Sequence, residues 1–123
     1  MTRIVRMIPI LKVMNMQQAL DFYGQRLGFD RLFLFQREPD HPAYAGLEKD
    51  GQRLHLSTFP GDGTAGTSVY IDVEDIGALQ AKLLANGVAP SEVEIMTQDW
   101  GRREIYIRDG QGNTLRFGEL PVS

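Results

Sequence analysis

Residues 100–117 read WGRREIYIRDGQGNTLRF, and this stretch decides how the chain folds. Ile105 and Ile107 alternate with charged and aromatic residues, which predicts a strand with one apolar and one polar face. The Asp-Gly-Gln-Gly-Asn sequence that follows is typical of a tight turn, so a second strand through Arg116 completes a hairpin. The apolar face can bury against helices, while the polar face, with Tyr106, suits the wall of a pocket that holds a small molecule.

The same organisation occurs earlier in the chain. Lys12-Val13-Met14-Asn15 and Asp72-Val73-Glu74-Asp75 each end a strand and cap a helix, and they lie about sixty residues apart. Asp-Gly-Gln turns at residues 50–52 and 109–111 have nearly the same offset. Two offsets that agree favour a duplicated module over chance recurrence of a common Asp-Gly turn.

Hydrophobic periodicity predicts the order β-α-β-β-β in each module. Two helices cannot cover both faces of eight strands, so one face of the sheet must meet a ligand, a partner subunit or water. The predicted fold is α+β, with two β-α-β-β-β modules that form a cleft-shaped mixed sheet. We expect a single domain over residues 1–123, built of modules at about 1–60 and 67–119 and joined by a glycine-rich linker. The expected elements are strands at 4–13, 29–36, 44–49, 52–59, 67–73 and 103–108, a last strand through 116, and helices at 16–27 and 76–84.

Composition excludes several classes of function. The 123 residues carry a formal charge of −3, which argues against a nucleic-acid surface, where a basic stripe is expected. The chain has no cysteine, so disulfides, thiolate metal sites and cysteine nucleophiles are excluded. No apolar run is long enough to span a membrane, and the N-terminus leads into a strand and not into a signal peptide. A cytoplasmic protein is the expectation.

Several phrases resemble the vicinal oxygen chelate superfamily, which includes glyoxalase I, extradiol dioxygenases, and fosfomycin and bleomycin resistance proteins. Within it, the chain most resembles the bleomycin resistance proteins, and the Trp-Gly-x-Arg-Glu phrase is the part most particular to that branch. The resemblance covers nearly the whole chain. The matching segments are Ile8-Pro9-Ile10-Leu11, residues 22–29, Tyr44-Ala45-Gly46-Leu47, residues 100–104, the turn at 108–113, and Arg116-Phe117.

The resemblance also locates the positions at which enzymes of this superfamily hold a divalent metal. They fall on Ile8, His55, Ser68 and Arg116, although the second assignment could shift by one residue. A catalytic metal needs at least three protein ligands, and here one position lacks a donor atom, one is a poor ligand and one is cationic. We therefore expect no metal, no cofactor and no catalytic residue. His55 could instead donate a hydrogen bond in a pocket or satisfy a backbone carbonyl, and both readings stay open.

The resemblance further implies an aromatic clamp. Bleomycin resistance proteins bind their drug in clefts at a dimer interface, where aromatic residues stack on its planar bithiazole. The matching positions are Phe33, Tyr44 and Trp100, although Phe33 could equally be a core residue. The parity of the strands adds further residues to the expected lining of the cleft: His55, Ser57, Ser68, Tyr106 and Arg116.

The sequence thus predicts a homodimer that binds and sequesters an aromatic small molecule without changing it, such as a bleomycin-type antibiotic. Arg116 lies at an inward parity, and Glu104 or Asp72 could pair with it. If it were unpaired, the cleft would prefer an anionic ligand. The alternative function is a metal-dependent lyase, isomerase or dioxygenase of the glyoxalase-like fold. A third class is a structural dimer whose cleft stays empty.

Overall fold

Two four-stranded sheets form the framework of the computed structural model, which describes residues 2–121. The strands run in the order β1-β4-β3-β2 in module 1 and β5-β8-β7-β6 in module 2. In each sheet the first pair is parallel and the other pairs are antiparallel. Module 1 comprises β1 (Ile10–Lys12), α1 (Met16–Asp21), β2 (Asp30–Gln36), β3 (Ala43–Lys49) and β4 (Gln52–Ser57); module 2 comprises β5 (Ser68–Val73), α2 (Ile76–Ala85), β6 (Met96–Thr97), β7 (Arg103–Arg108) and β8 (Thr114–Glu119). The predicted α+β class and the repeated β-α-β-β-β order are confirmed.

Matching polar residues begin the two helices. The side chains of Asn15 and Asp75 each accept a hydrogen bond of 3.0 Å from a backbone N–H three residues later, which satisfies one of the free amides of the first turn. Helix α1 continues into a π-helical turn at Phe22–Arg26, and Gly28 then adopts a φ of 81° that ends it. The predicted helix at 16–27 is therefore present with a change of pitch.

The core lies between each sheet and its helix. In β3, β4, β7 and β8, alternate residues face the helices and are almost completely buried, as the period of two predicts. The helix-facing residues of β5 are half-buried, and every residue of β2 is exposed. The side chains that point the other way form a surface that no helix covers, which we call the open face of each sheet. The strand residues of the apolar core cluster are Leu11, Ala45, Leu47, Leu54, Leu56, Ile105, Ile107, Leu115 and Phe117, and Val13 joins them just beyond β1.

The turn between β7 and β8 joins the modules. The Asp109 carboxylate accepts hydrogen bonds from two amides of its own turn and from the buried Tyr23 hydroxyl of module 1 (2.8 Å). Burial, followed by the nearby Asp109 charge, raises the pKa of Tyr23, so the hydroxyl stays protonated. Gln111 accepts from two amides at the start of α1, and Asn113 donates to the carbonyl oxygen of Lys12 (2.8 Å). The segment that decided the sequence prediction thus also holds the halves together.

The first strand is shorter than the sequence predicts. Residues 4–9 lie outside β1, and Ile4 and Met7 are 81% and 84% exposed. A strand needs a partner for its backbone hydrogen bonds, and β1 pairs with β4 only through residues 10–12. Pro9 has no N–H to donate, although its carbonyl oxygen still accepts from the His55 amide (3.0 Å). The predicted strand at 4–13 is therefore wrong over its first half.

An apolar groove of about 620 Å³ lies beside this exposed segment. Met7 and Pro9 form part of its wall, and the helix-facing side of β5, with Val69 and Ile71, forms another part. None of the helices among residues 2–121 is both long and apolar enough to cross a membrane.

Candidate functional site

The open face of module 1 carries three rings in mutual contact, which we call cluster 1: Phe33, Tyr44 and His55. Phe33 and Tyr44 lie nearly parallel, at 11°, with their centroids 6.2 Å apart. His55 meets both rings edge-on, at 5.6 and 5.2 Å. Offset and edge-to-face arrangements are the favourable geometries for aromatic pairs, at roughly 0.5–1.5 kcal/mol each. The sequence placed these residues on one face, and the structure brings all three together.

A glycine makes the position of Phe33 possible. Gly46 lies opposite Phe33 in the strand register, and a β-carbon built on Gly46 would overlap the Phe33 ring. The ring therefore lies against the backbone of β3 and not in the core, with 43% of Phe33 exposed. A glycine inside a strand often marks such a close approach, so Gly46 is a signal that the sequence reasoning missed.

The polar atoms of cluster 1 form one hydrogen bond. The Tyr44 hydroxyl and His55 Nδ1 are 2.7 Å apart. Burial lowers the pKa of His55, and the nearby Arg53 charge adds to that effect. Burial and the Asp62 charge raise the pKa of Tyr44. At neutral pH the Tyr44 hydroxyl is therefore protonated and the His55 imidazole is neutral. The hydroxyl can donate a hydrogen bond to His55 Nδ1, so that nitrogen already has a partner.

Ser57 does not line the open face as predicted. It is fully buried, because the turn after β4 covers it. Its hydroxyl donates to Asp62 Oδ2 (2.7 Å) and accepts from the Phe59 amide (3.0 Å). The strand parity was correct, but parity does not reveal which loop folds over a residue.

The open face of module 2 carries a second assembly, which we call cluster 2: Tyr70, Trp100, Glu104, Tyr106 and Arg116. The guanidinium carbon of Arg116 lies 4.9 Å from the Tyr106 ring centroid, 5.5 Å from that of Tyr70 and 5.9 Å from that of Trp100. A guanidinium within about 6 Å of a ring face is attracted to it. Trp100 is 63% exposed and therefore lies outside the core.

Glu104 is the anion of cluster 2. It is 1% exposed and accepts hydrogen bonds from the Tyr70 hydroxyl (2.6 Å), Gln98 Nε2 (2.9 Å) and Arg116 Nε (3.1 Å). Burial alone would raise the pKa of Glu104, but these hydrogen bonds and the Arg116 charge outweigh it and lower the pKa. Arg116 is thus paired, as strand parity allowed, and the condition for an anion-seeking cleft is not met.

The second acidic candidate, Asp72, has a different partner. Arg102 Nη2 donates to Asp72 Oδ1 at 2.8 Å and lies 5.3 Å from the Tyr70 ring centroid. Gly118 lies beneath this assembly, and a β-carbon there would overlap the Tyr70 hydroxyl. Tyr70, which the sequence reasoning did not select, is therefore held against β8 much as Phe33 is held against β3.

The two clusters are separate within one chain. Across residues 2–121, no hydrogen bond or ring contact joins a member of cluster 1 to a member of cluster 2. Ser68 is exposed at the start of β5, next to Thr114 in the register. Of the predicted clamp residues, Phe33 and Tyr44 thus belong to cluster 1 and Trp100 to cluster 2.

The positions that correspond to a superfamily metal site do not fit a divalent cation. His55 Nδ1 is engaged with Tyr44, and Arg116 places a guanidinium, paired with Glu104, at the fourth position. Within the described part of the chain, no three His, Asp or Glu side chains are grouped closely enough to hold a metal ion.

Comparison with known proteins supports the architecture. A family model described as glyoxalase superfamily protein matches residues 2–121. No curated protein sequence matches the chain. The structure is similar to a bleomycin-binding protein of Streptomyces verticillus solved with copper(II)-bleomycin (TM-score 0.73, 22% identity, 98% of this chain and 100% of that one). It is also similar to the bleomycin resistance determinant of transposon Tn5 (0.74, 19%, 95% and 98%) and to a glyoxalase/bleomycin resistance protein from Catenulispora acidiphila (0.71, 23%, 94% and 98%).

Proposed function

The chain belongs to the glyoxalase superfamily, and we propose that it binds an aromatic small molecule on its open faces and sequesters it without chemical change. A bleomycin-type antibiotic is the leading candidate, because structural neighbours are bleomycin-binding proteins. Sequestration needs affinity alone and places no demand for a nucleophile, a base or a metal on the chain.

The observation that carries this proposal is that exposed aromatic rings pack directly against glycine residues of the neighbouring strands. Phe33 and Tyr70 pack directly against Gly46 and Gly118, so each ring rests on the sheet backbone while 43% of the residue stays exposed. A ring that is already ordered loses little conformational entropy when a ligand stacks on it. Exposed aromatic surface that folding fixes in place favours binding of a flat partner.

We further propose that the protein acts as a homodimer. Apolar side chains of residues 4–7 and of β2 are exposed in the single chain, including Leu32 and Leu34. These residues lie on β2 at one edge of the module 1 sheet and just before β1 at the other edge. Exposed apolar surface is typical of a site that another protein chain covers. A second copy could cover it and bring cluster 1 of one subunit near cluster 2 of the other, which would assemble the divided clamp.

Equilibrium dialysis with mass spectrometry tests sequestration directly. Metal-free protein is dialysed against bleomycin, the bound drug is released by denaturation, and its molecular mass is measured by mass spectrometry. We expect retention of drug with unchanged mass, and weaker retention by Phe33→Ala and Trp100→Ala. Bound drug of altered mass would contradict sequestration and favour the enzyme alternative. Conversion of the drug that begins when Zn²⁺, Ni²⁺ or Mn²⁺ is added would do the same.

A further inference from the structure

A second pocket adjoins cluster 1, and its lining differs from that of the rest of the open face. Its volume is about 340 Å³, and it is lined by Phe35, Tyr44, Phe59 and Asp62. Phe35 and Phe59 lie at 19° to one another with their centroids 6.4 Å apart. Phe35 is opposite Tyr44 in the strand register, so the pocket continues the surface of cluster 1. Three aromatic residues and one carboxylate therefore line this shallow pocket.

The turn after β4 fixes that carboxylate in place. The Asp62 amide donates to the Phe59 carbonyl oxygen (3.2 Å), and Asp62 Oδ2 accepts from the buried Ser57 hydroxyl (2.7 Å). The single turn thus positions both a ring and a negative charge. Asp62 is close enough to contribute, after burial, to the raised pKa of Tyr44.

Module 2 combines aromatic rings and a carboxylate in the same way, and there a cation lies among them. In cluster 2, Arg116 lies near three rings and pairs with the carboxylate of Glu104. In the pocket of module 1, no guanidinium of residues 2–121 lies over Phe35, Tyr44 or Phe59, and Asp62 forms no ion pair within that range. The Lys12 ammonium donates a hydrogen bond to the Phe59 carbonyl oxygen (2.5 Å). Among residues 2–121 it forms no ion pair with Asp62.

We propose that the pocket of Phe35, Tyr44, Phe59 and Asp62 binds an alkylammonium group of the ligand. This inference rests on the proposed function, since it names the ligand of the open face more closely as an aromatic compound with a cationic arm. The rings attract a cation over their faces, and Asp62 supplies the opposite charge. An ammonium with methyl or methylene substituents also buries apolar surface against the rings, which a bare inorganic cation cannot do.

Titration with a matched pair of probes tests the pocket. Choline and 3,3-dimethylbutan-1-ol have the same shape, but only choline is charged. Amide chemical shifts of the full-length ¹⁵N-labelled protein report both affinity and location. We expect choline to bind about tenfold more tightly than the neutral alcohol, with shifts centred on residues 59–62 and on β2. Asp62→Asn and Phe59→Leu should each reduce that ratio, while Glu94→Gln, which removes one exposed charge in module 2, should leave it unchanged.

The outcomes separate this pocket from the wider proposal. Equal binding of the two probes, or a ratio that Asp62→Asn and Phe59→Leu leave unchanged, would overturn the ammonium pocket even if bleomycin or aromatic acids still bind to cluster 1. Shifts centred on module 2 would overturn it as well. Failure of every aromatic ligand to bind would overturn the proposed function itself, whatever choline does.

Discussion

At the scale of single residues, Trp100 separates binding from folding. Trp100→Ala should lower the free energy of unfolding by about 0.5 kcal/mol or less, because a side chain that is 63% exposed contributes little packing. Its effect on ligand affinity should be larger. Ile105→Ala is the matched control, since Ile105 is fully buried and its truncation should cost about 2–5 kcal/mol. Urea denaturation and ligand titration of both variants measure the two effects, and equal losses for Trp100→Ala in both would make Trp100 a core residue.

Glu104 should make stability depend on pH. Folding lowers its pKa below the ordinary value of 4.5, so the folded state favours the ionised form. That contribution is complete above about pH 4.5 and is lost as the pH falls through the lower folded value. Urea denaturation of the native protein and of Glu104→Gln at several pH values isolates it, because the other carboxylates cancel in the difference. The difference should be largest near about pH 7 and shrink towards about pH 3. A difference that is constant with pH would refute this role.

Residue pairs show what the sequence could and could not reveal. Strand parity placed Glu104 within reach of Arg116, and the two are paired. The same parity placed Ser57 on the open face, but the turn at residues 59–62 buries it. Contacts within one sheet follow from alternation, whereas contacts with loops depend on three-dimensional paths that no period encodes.

At the scale of elements, β2 and β3 form one unit through Phe33 and Gly46. Gly46→Ala would force the Phe33 ring away and should destabilise the protein by about 1–3 kcal/mol, the usual cost of overpacking. In a Phe33→Ala background the same change should cost much less, because the clash is gone. Thermal or urea unfolding of the four proteins in this double-mutant cycle gives the coupling energy. Additive effects of the two substitutions would mean that the Phe33 ring does not depend on the missing side chain of Gly46.

The elements also show where sequence prediction ends. Periodicity located both helices and most strands to within a few residues, because each has one apolar side that faces the core. It failed for the first half of the predicted strand at 4–13, since a strand is defined by its paired partner strand and residues 4–9 lie outside the β1–β4 pairing. Ile10 is the point at which β4 begins to provide a partner.

At the scale of the whole molecule, the exposed N-terminal segment predicts the state of assembly. Ile4→Asp should shift the protein towards the monomer without loss of folding, because Ile4 is 81% exposed in the single chain. Thr64→Asp introduces the same charge at an exposed site of the linker and should leave assembly unchanged. Sedimentation velocity across a range of concentrations measures both. A native protein that stays monomeric at every concentration would refute the dimer, and with it the joining of the two clusters.

The proposed function requires the open faces to bind an aromatic small molecule, and thermal unfolding of metal-free protein with added ligand measures that binding. The native protein, Phe33→Ala and Trp100→Ala are each heated with bleomycin and with a panel of aromatic acids. We expect a ligand-dependent rise in the unfolding temperature, equivalent to about 2.7 kcal/mol at a hundredfold excess over the dissociation constant. The rise should be smaller in both variants. No rise with any ligand, or the same rise in all three proteins, would contradict ligand binding on the open faces.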